Sequence, residues 1–316
     1  MWRIIFKCMS ARCPVCGEVF RAHNKHELEG YYDPCEGCIN PGFRKFRPIM
    51  EQVTESALEE CECGRRHLDS VMAQVSMILI ENGVIPKNSR LRDAGVPLIT
   101  PAFPLKSAPF LPADSLVLLT PGASVEAAEL IINDVPEVKG VIRGDPSVTP
   151  GVIDSYRIPE VYDLLAGCDM RCDIIETPAG SMSIYRRQSR LHIEFSGRKN
   201  KKIEFAAREI LSIRPETVLD ATCGPGTLGI FALMAGADRV VFNDIWRDAC
   251  EMTHLNLQIN GFRKERFRIY SEDIRKLPEI LDEKFDLCIV DPFPGVDVKE
   301  FLDAAGKLAE RILLIQ

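Results

Sequence analysis

Leu68, Val71, Met72, Val75, Ile78 and Leu79 recur at intervals of three and four, the spacing that lines apolar side chains along one face of a helix. The pattern predicts a helix over residues 65–81, stopped at Asn82-Gly83. The proline-rich stretch 97–112 is expected to mark a domain boundary. Beyond it, the unbroken apolar run Leu116-Val117-Leu118-Leu119 predicts a buried strand, 124–133 a helix and 138–143 another strand, together a small α/β region. The clearest succession is TVLDATCGPGTLGIFALMAGADRVVFND, from Thr217 to Asp244. A short apolar strand ends at Asp220, a glycine turn follows, a helical pattern starts at Thr227, Gly236 stops it, and residues 239–242 read as a second strand. This is one right-handed βαβ unit, whose turn lies at the carboxyl edge of a parallel sheet, where such folds bind ligands. Three further strands are expected: one ending near Glu272-Asp273, one over 284–290 and one over 311–316.

The 316 residues suffice for two or three domains, and 46% hydrophobic with 27% charged residues is ordinary for a soluble globular protein. No apolar run approaches a membrane span and the first residues do not form a secretory signal, so a cytoplasmic protein is expected. A net charge of -7 argues against a polyanion-binding surface overall, yet Arg186, Arg187, Arg190, Arg198, Lys199, Lys201 and Lys202 crowd one region. They read either as a local RNA-binding groove or as a solvated charged face.

The turn carries the chemistry. Gly224, Gly226 and Gly229 spell GxGxxG, a weak signal alone; the glycines let backbone pass close to a ligand. Asp220 stands where a carboxylate can take the ammonium of an amino acid, and Asp244 where one can accept both ribose hydroxyls of an adenosine. A ligand with both halves is S-adenosylmethionine rather than a nicotinamide dinucleotide. Cys223, Ile245, Asp273 and Ile274 complete the expected cofactor set, the region of Asp273 meeting the adenine amino group. Asp291-Pro292-Phe293-Pro294 ends the next strand. There the Asp291 carboxylate and the Pro292 carbonyl can accept hydrogen bonds from an amino nitrogen, directing its lone pair at a methyl donor, while Phe293 stacks on the base.

Twelve cysteines in such a chain suggest metal more than disulfides. Cys13-x-x-Cys16 and Cys35-x-x-Cys38 are two knuckles that together predict a closed, structural zinc ribbon, an iron–sulfur cluster being the alternative. Cys61, Cys63 and His67 could form a second site with His23, His26 or Cys8, or replace a ligand in the first. Phe20, Tyr31, Tyr32, Phe43, Arg44, Lys45, Phe46 and Arg47 suit either stacking on unpaired nucleotides or the thin core of a ribbon.

Val138-Lys139, Tyr156-Arg157-Ile158-Pro159, the Leu-Leu-Ala-Gly of 164–167 and Phe195-Ser196-Gly197-Arg198 form a succession. It resembles the region before the catalytic domain in archaeal and eukaryotic tRNA guanine N1-methyltransferases and the related wybutosine-pathway aminocarboxypropyl transferases. The resemblance runs from about Val135 to Ile289 and does not extend to the knuckles. Asn256 and Asn260-Gly261 resemble a helix ending found in several tRNA methyltransferases. The Asp-Pro-Phe-Pro turn is similar to the Asp-Pro-Pro-Tyr class of amino methyltransferases and closer to the Asp-Pro-Phe-Gly of tRNA guanine N2-methyltransferases. It departs from the Asn-Leu-Pro type of the N1 family, which bears on the target atom.

The expected architecture is α/β: a class I (Rossmann-like) S-adenosylmethionine-dependent methyltransferase sheet over 201–316, a small α/β substrate-recognition region over 97–200 and a zinc-binding amino-terminal domain over 1–96. The expected activity is methylation of a guanine in tRNA. The alternatives are aminocarboxypropyl transfer, methylation of a protein or small metabolite, or a non-catalytic binding module. A full sheet of this fold adds a helix and a hairpin after the fifth strand. A homodimer mate, another partner subunit, the amino-terminal region or further chain is therefore expected at that edge.

Overall fold

The computed structural model describes residues 10–23, 25–145, 162–193, 201–293 and 295–315. The segments 156–159 and 195–198, with Cys8, Lys199 and Pro294, lie outside the described residues. The chain divides into two units, one of Met1–Asn24, Cys172–Arg186 and Phe195–Gln316, the other of Lys25–Arg171 and Arg187–Glu194.

The second of these carries helix α1 (Leu68–Glu81) and a four-stranded sheet of β1 (Val96–Ile99), β2 (Leu116–Thr120), β3 (Val138–Arg143) and β4 (Asp163–Gly167), in the order β1-β2-β3-β4. β2 and β3 run parallel, joined by helix α2 (Val125–Asp134). The expected boundary at residue 97 falls inside β1, which pairs antiparallel with β2. Pro97 is tolerated because β1 is an edge strand. Every residue of β2 is buried, as its continuous apolar run requires. His67 is buried as the N-cap of α1, its Nδ1 accepting the Asp69 N–H at 3.1 Å, and is thereby engaged in capping. Tyr32 is buried against Phe103, whereas Phe46 is exposed with the Arg92 guanidinium over its ring.

In the other unit, five parallel strands run β7 (Thr217–Asp220), β8 (Arg239–Asn243), β9 (Phe267–Tyr270), β10 (Leu287–Val290) and β11 (Ile312–Leu314). Their order is β9-β8-β7-β10-β11, so the chain works outward from the centre in one direction and then the other. Side chains alternate across the sheet. Val218, Val240, Leu287 and Ile289 join one core with Ile203, Ile210 and Phe231, while Leu219, Val241, Cys288 and Val290 join another with Ala304, Ala305 and Leu308. The first core is covered by helices α3 (Lys201–Ile213) and α4 (Thr227–Met234) and the second by α6 (Lys299–Leu308); α5 (Arg247–Ile259) follows β8.

Two more strands, β5 (Met170–Thr177) and β6 (Gly180–Arg187), pair with each other. Asn256 and Asn260 of α5 hold β6 through side-chain amides. Asn256 accepts from the Tyr185 N–H at 2.8 Å and donates to its carbonyl at 3.0 Å; Asn260 does the same to Ser183 at 3.1 and 2.8 Å. Four residues of helix rise about 6 Å and two residues of strand about 6.8 Å, so two asparagines one helical turn apart meet alternate residues of a strand. This is the physical use of the Asn-x-x-x-Asn spacing.

Candidate active site

The carboxyl ends of β7, β8 and β10 meet around the glycine turn. The first residues to consider are Gly224 and Gly226, at φ +52 and +87, backbone that L side chains rarely adopt. Gly226 stands before α4, and Gly229 lies inside it, where a Cβ would come within 2.3 Å of the Phe242 ring. The third glycine thus serves close approach of helix to strand.

Asp220 ends β7 and is buried. Its Oδ2 accepts the Gly229 N–H at 2.8 Å, whereas its Oδ1 has no hydrogen-bond partner among the described residues. Burial, with the charges of Asp291 and Asp244 added, pushes its carboxyl up to about 8. Asp244 follows β8 and closes the turn: Oδ2 accepts the Gly224 N–H at 2.8 Å and Oδ1 the Trp246 N–H at 2.9 Å. Its carboxyl is also raised, by burial, against those two hydrogen bonds.

Ile245 beside it is exposed. Asp273 and Ile274 lie beyond β9. The Asp273 carboxylate is taken by the Arg275 guanidinium and the Arg275 N–H, which lower its pKa, and the Ile274 side chain is packed in the second core. At that corner both side chains are therefore engaged in structure, and the Asp273 carbonyl accepts the Lys276 N–H at 2.9 Å. The Cys223 thiol is buried against Thr253, and burial raises its pKa well above the ordinary thiol range.

Asp291 follows β10. Its N–H donates to Thr222 Oγ1 at 2.7 Å, which ties the Asp-Pro-Phe turn directly to the glycine turn. Both of its oxygens receive the Lys202 ammonium, at 2.8 and 3.1 Å. Phe293 is 39% exposed, enough ring to offer a face.

Lys202, Thr222 and Asn243 were not legible as site residues. Lys202 was one cation in a run, and nothing in the run marks which member reaches a carboxylate far along the chain. Asn243 is buried, donating to the carbonyls of Ala221 and Glu272 at 3.0 Å each and accepting the Glu272 N–H at 3.1 Å; it fastens together the ends of β7, β8 and β9. Its position just before Asp244 was the available signal. The basic run itself is divided. Arg186 is buried in an ion pair with Asp173 and reaches Thr227 Oγ1 at 3.5 Å, so it serves the interior.

A central strand flanked in the order 3-2-1-4-5, a glycine turn, and acids at the ends of the first, second and fourth strands define the sheet type. The carboxyl-terminal sheet has the strand order of the class I methyltransferase fold. Residues 200–313 match the family model described as Conserved hypothetical protein 95. The chain is 39% identical over 79 residues to the tRNA (guanine(26)-N(2))-dimethyltransferase of Pyrobaculum arsenaticum, covering 24% of this chain and 21% of that protein. It is 26% identical over 234 residues to the ribosomal RNA large subunit methyltransferase I of Vibrio cholerae, covering 57% and 59%. These matches therefore span less than two thirds of the length of either relative. Among solved structures, Methanocaldococcus jannaschii Trm5 in complex with adenosine aligns over 82% of this chain and 70% of its own, at 16% identity and a TM-score of 0.41.

The cysteine knuckles require a correction. The set Cys13, Cys16, Cys35 and Cys38 is replaced: Cys35 and Cys38 stand with Cys61 and Cys63, while Cys13 and Cys16 belong to the other unit. Spacing along the chain shows that each knuckle offers two thiols but not which two knuckles the fold brings together.

Proposed function

We propose that this protein is an S-adenosylmethionine-dependent RNA methyltransferase whose target is a nitrogen of a guanine in tRNA. The observation that carries the reading is the hydrogen bond between the Asp291 N–H and Thr222, which sets an acceptor-rich turn against a glycine turn built for a cofactor. The names of the relatives, methyltransferases of tRNA guanine and of ribosomal RNA, support the substrate class.

The residues fit the cofactor. Asp220 Oδ1 is buried with no partner among the described residues, Asp244 keeps spare lone pairs beside the turn, and exposed Ile245 offers an apolar face for adenine. When bound, the cofactor supplies a methyl group activated on a sulfonium. Asp291 and the Pro292 carbonyl accept hydrogen bonds from the N–H groups of the base and fix its orientation. The Lys202 ammonium, bonded to both carboxylate oxygens, holds Asp291 in register as an acceptor. Phe293 supplies the stacking face. Such a site gains its rate from orientation and fixed dipoles.

The direct test is incubation with methyl-labelled S-adenosylmethionine and unmodified tRNA, followed by nucleoside mass analysis. A methylguanosine is expected. Label in a different nucleoside or only in protein, or a product heavier by an aminocarboxypropyl group, would overturn the corresponding part of the reading.

Asp220 makes the site sensitive to pH. With its carboxyl raised to about 8, the free protein holds a proton there at neutral pH. The sign follows. The group's contribution to folding is present below the ordinary carboxylate range and is lost as pH rises toward about 8, because the fold disfavours the charged form. An ammonium placed at Asp220 favours the ionised form instead, so cofactor binding at pH 7 is expected to release a proton and to tighten as pH rises from about 6 toward 8. Titration calorimetry in two buffers of different ionisation enthalpy measures the release; equal heats in both would show that no proton leaves and would overturn this reading.

A further inference from the structure

Cys35, Cys38, Cys61 and Cys63 present four sulfur atoms that all lie within 4.8 Å of one another. Cys35 and Cys61 are 3.4 Å apart, Cys38 and Cys63 3.5 Å, Cys35 and Cys38 3.7 Å. A tetrahedron with metal–sulfur bonds of about 2.3 Å has edges of about 3.8 Å, so the thiols already stand close to the corners around a single ion. A polynuclear iron–sulfur cluster puts several iron and sulfide atoms between its thiolates and needs them more widely spread.

Why these four meet is visible in the surrounding hydrogen bonds. The short strand Phe110–Leu111 pairs with Arg66–His67, and the Phe110 N–H also donates to the Tyr32 carbonyl at 3.0 Å. One strand thus brings residues 32 and 66 alongside each other, and the cysteines a few positions outward from each converge. Arg65 adds a hydrogen bond to the Asp33 carbonyl at 3.0 Å. Next to it, buried Arg66 pairs bidentately with Glu137 at 2.6 and 2.5 Å and donates to the Leu58 carbonyl at 3.0 Å, anchoring the second knuckle in the α/β core. At the first knuckle the Cys35 N–H points at Cys38 Sγ from 3.4 Å, and Gly37 passes beside Cys61 Sγ where its own Cβ would stand 3.5 Å away. The stretch between the knuckles has only a small apolar cluster of its own, Ile49 with Phe43, Val53 and Leu58 against Ala73 and Ile80. A segment with so little core is of the kind that a metal holds together.

We infer that Cys35, Cys38, Cys61 and Cys63 bind one zinc ion as four thiolates, in a closed site that staples residues 35–63 to the α/β core and takes no part in methyl transfer. Four protein ligands leave no coordination position for water or substrate.

Metal content of the purified full-length chain, measured by plasma mass spectrometry, tests this. The Cys61→Ser/Cys63→Ser variant is expected to carry one zinc equivalent fewer per chain than the unaltered protein. Equal zinc in the two, no zinc in the unaltered chain after incubation with the ion, or stoichiometric iron with visible absorption would overturn the inference. Because that variant can misfold, a second measurement uses the unaltered chain: cobalt(II) exchanged into the site should give the intense sulfur-to-metal charge-transfer bands of four thiolates. A spectrum with fewer thiolate ligands would also overturn it.

Discussion

Asp291→Ala is expected to lower the rate of methyl transfer by about 100-fold or more, the scale of losing a positioned proton-handling or dipolar group, while cofactor affinity stays unchanged. The separation follows from where the residue stands. Its carboxylate faces Lys202, and its backbone N–H is bonded to the glycine loop through Thr222; alanine keeps that N–H. Asp291→Asn retains an acceptor oxygen but puts an amide donor opposite the Lys202 ammonium and is expected to lose nearly as much. Turnover on tRNA, with cofactor binding read separately by calorimetry, checks both. Unchanged turnover in either variant would remove Asp291 from the chemistry and with it the reading of the Asp-Pro-Phe turn.

Gly229→Ala should have the largest effect on the fold of the cofactor site. The added Cβ meets Phe242 Cε1 at 2.3 Å and Asp220 Oδ2 at 2.9 Å. Phe242 is fully buried in the core of the sheet, so its ring cannot yield without moving β8, and α4 must lift instead. Overpacking of this kind costs typically about 1–3 kcal/mol. Lifting α4 also breaks the Gly229 N–H bond to Asp220, so cofactor affinity should fall by about tenfold, the equivalent of roughly 1.4 kcal/mol. Gly306 in α6 is the contrast, because the nearest atom to a Cβ there is Ile312 Cδ1 at 4.0 Å. Gly306→Ala is expected to stabilise slightly, by up to about 1 kcal/mol of helix propensity. Thermal melts of the two variants should move in opposite directions; a Gly229→Ala melt no lower than that of the unaltered protein would show that the helix–strand contact is not tight.

The sheet was legible because its central strands are buried on both faces and short. Runs such as Val218-Leu219, residues 240–242 and residues 287–290 have no polar position to confuse with a helix, and the glycine turn punctuates them. That Asp220, Gly224, Gly226, Asp244 and Asp291 gather at one edge was legible for a related reason: in a parallel sheet every strand delivers its last residue to the same edge. Such reasoning reaches only residues at strand ends. It does not reach Lys202, which comes from a helix before the first strand of the sheet, nor tell that Asp273 spends its carboxylate on Arg275 or that Arg186 turns inward to Asp173.

Local order thus determined the elements, the edge at which the strand-end acids gather and the presence of paired thiols, since each depends on interactions among residues a few positions apart. Partnership was decided by the tertiary structure alone. Which knuckle meets Cys35 and Cys38, which cation meets Asp291 and which strand the two asparagines of α5 hold are contacts between residues distant in the chain. Alternatives of equal local merit stood beside each of them, and only the packing of the intervening elements chose.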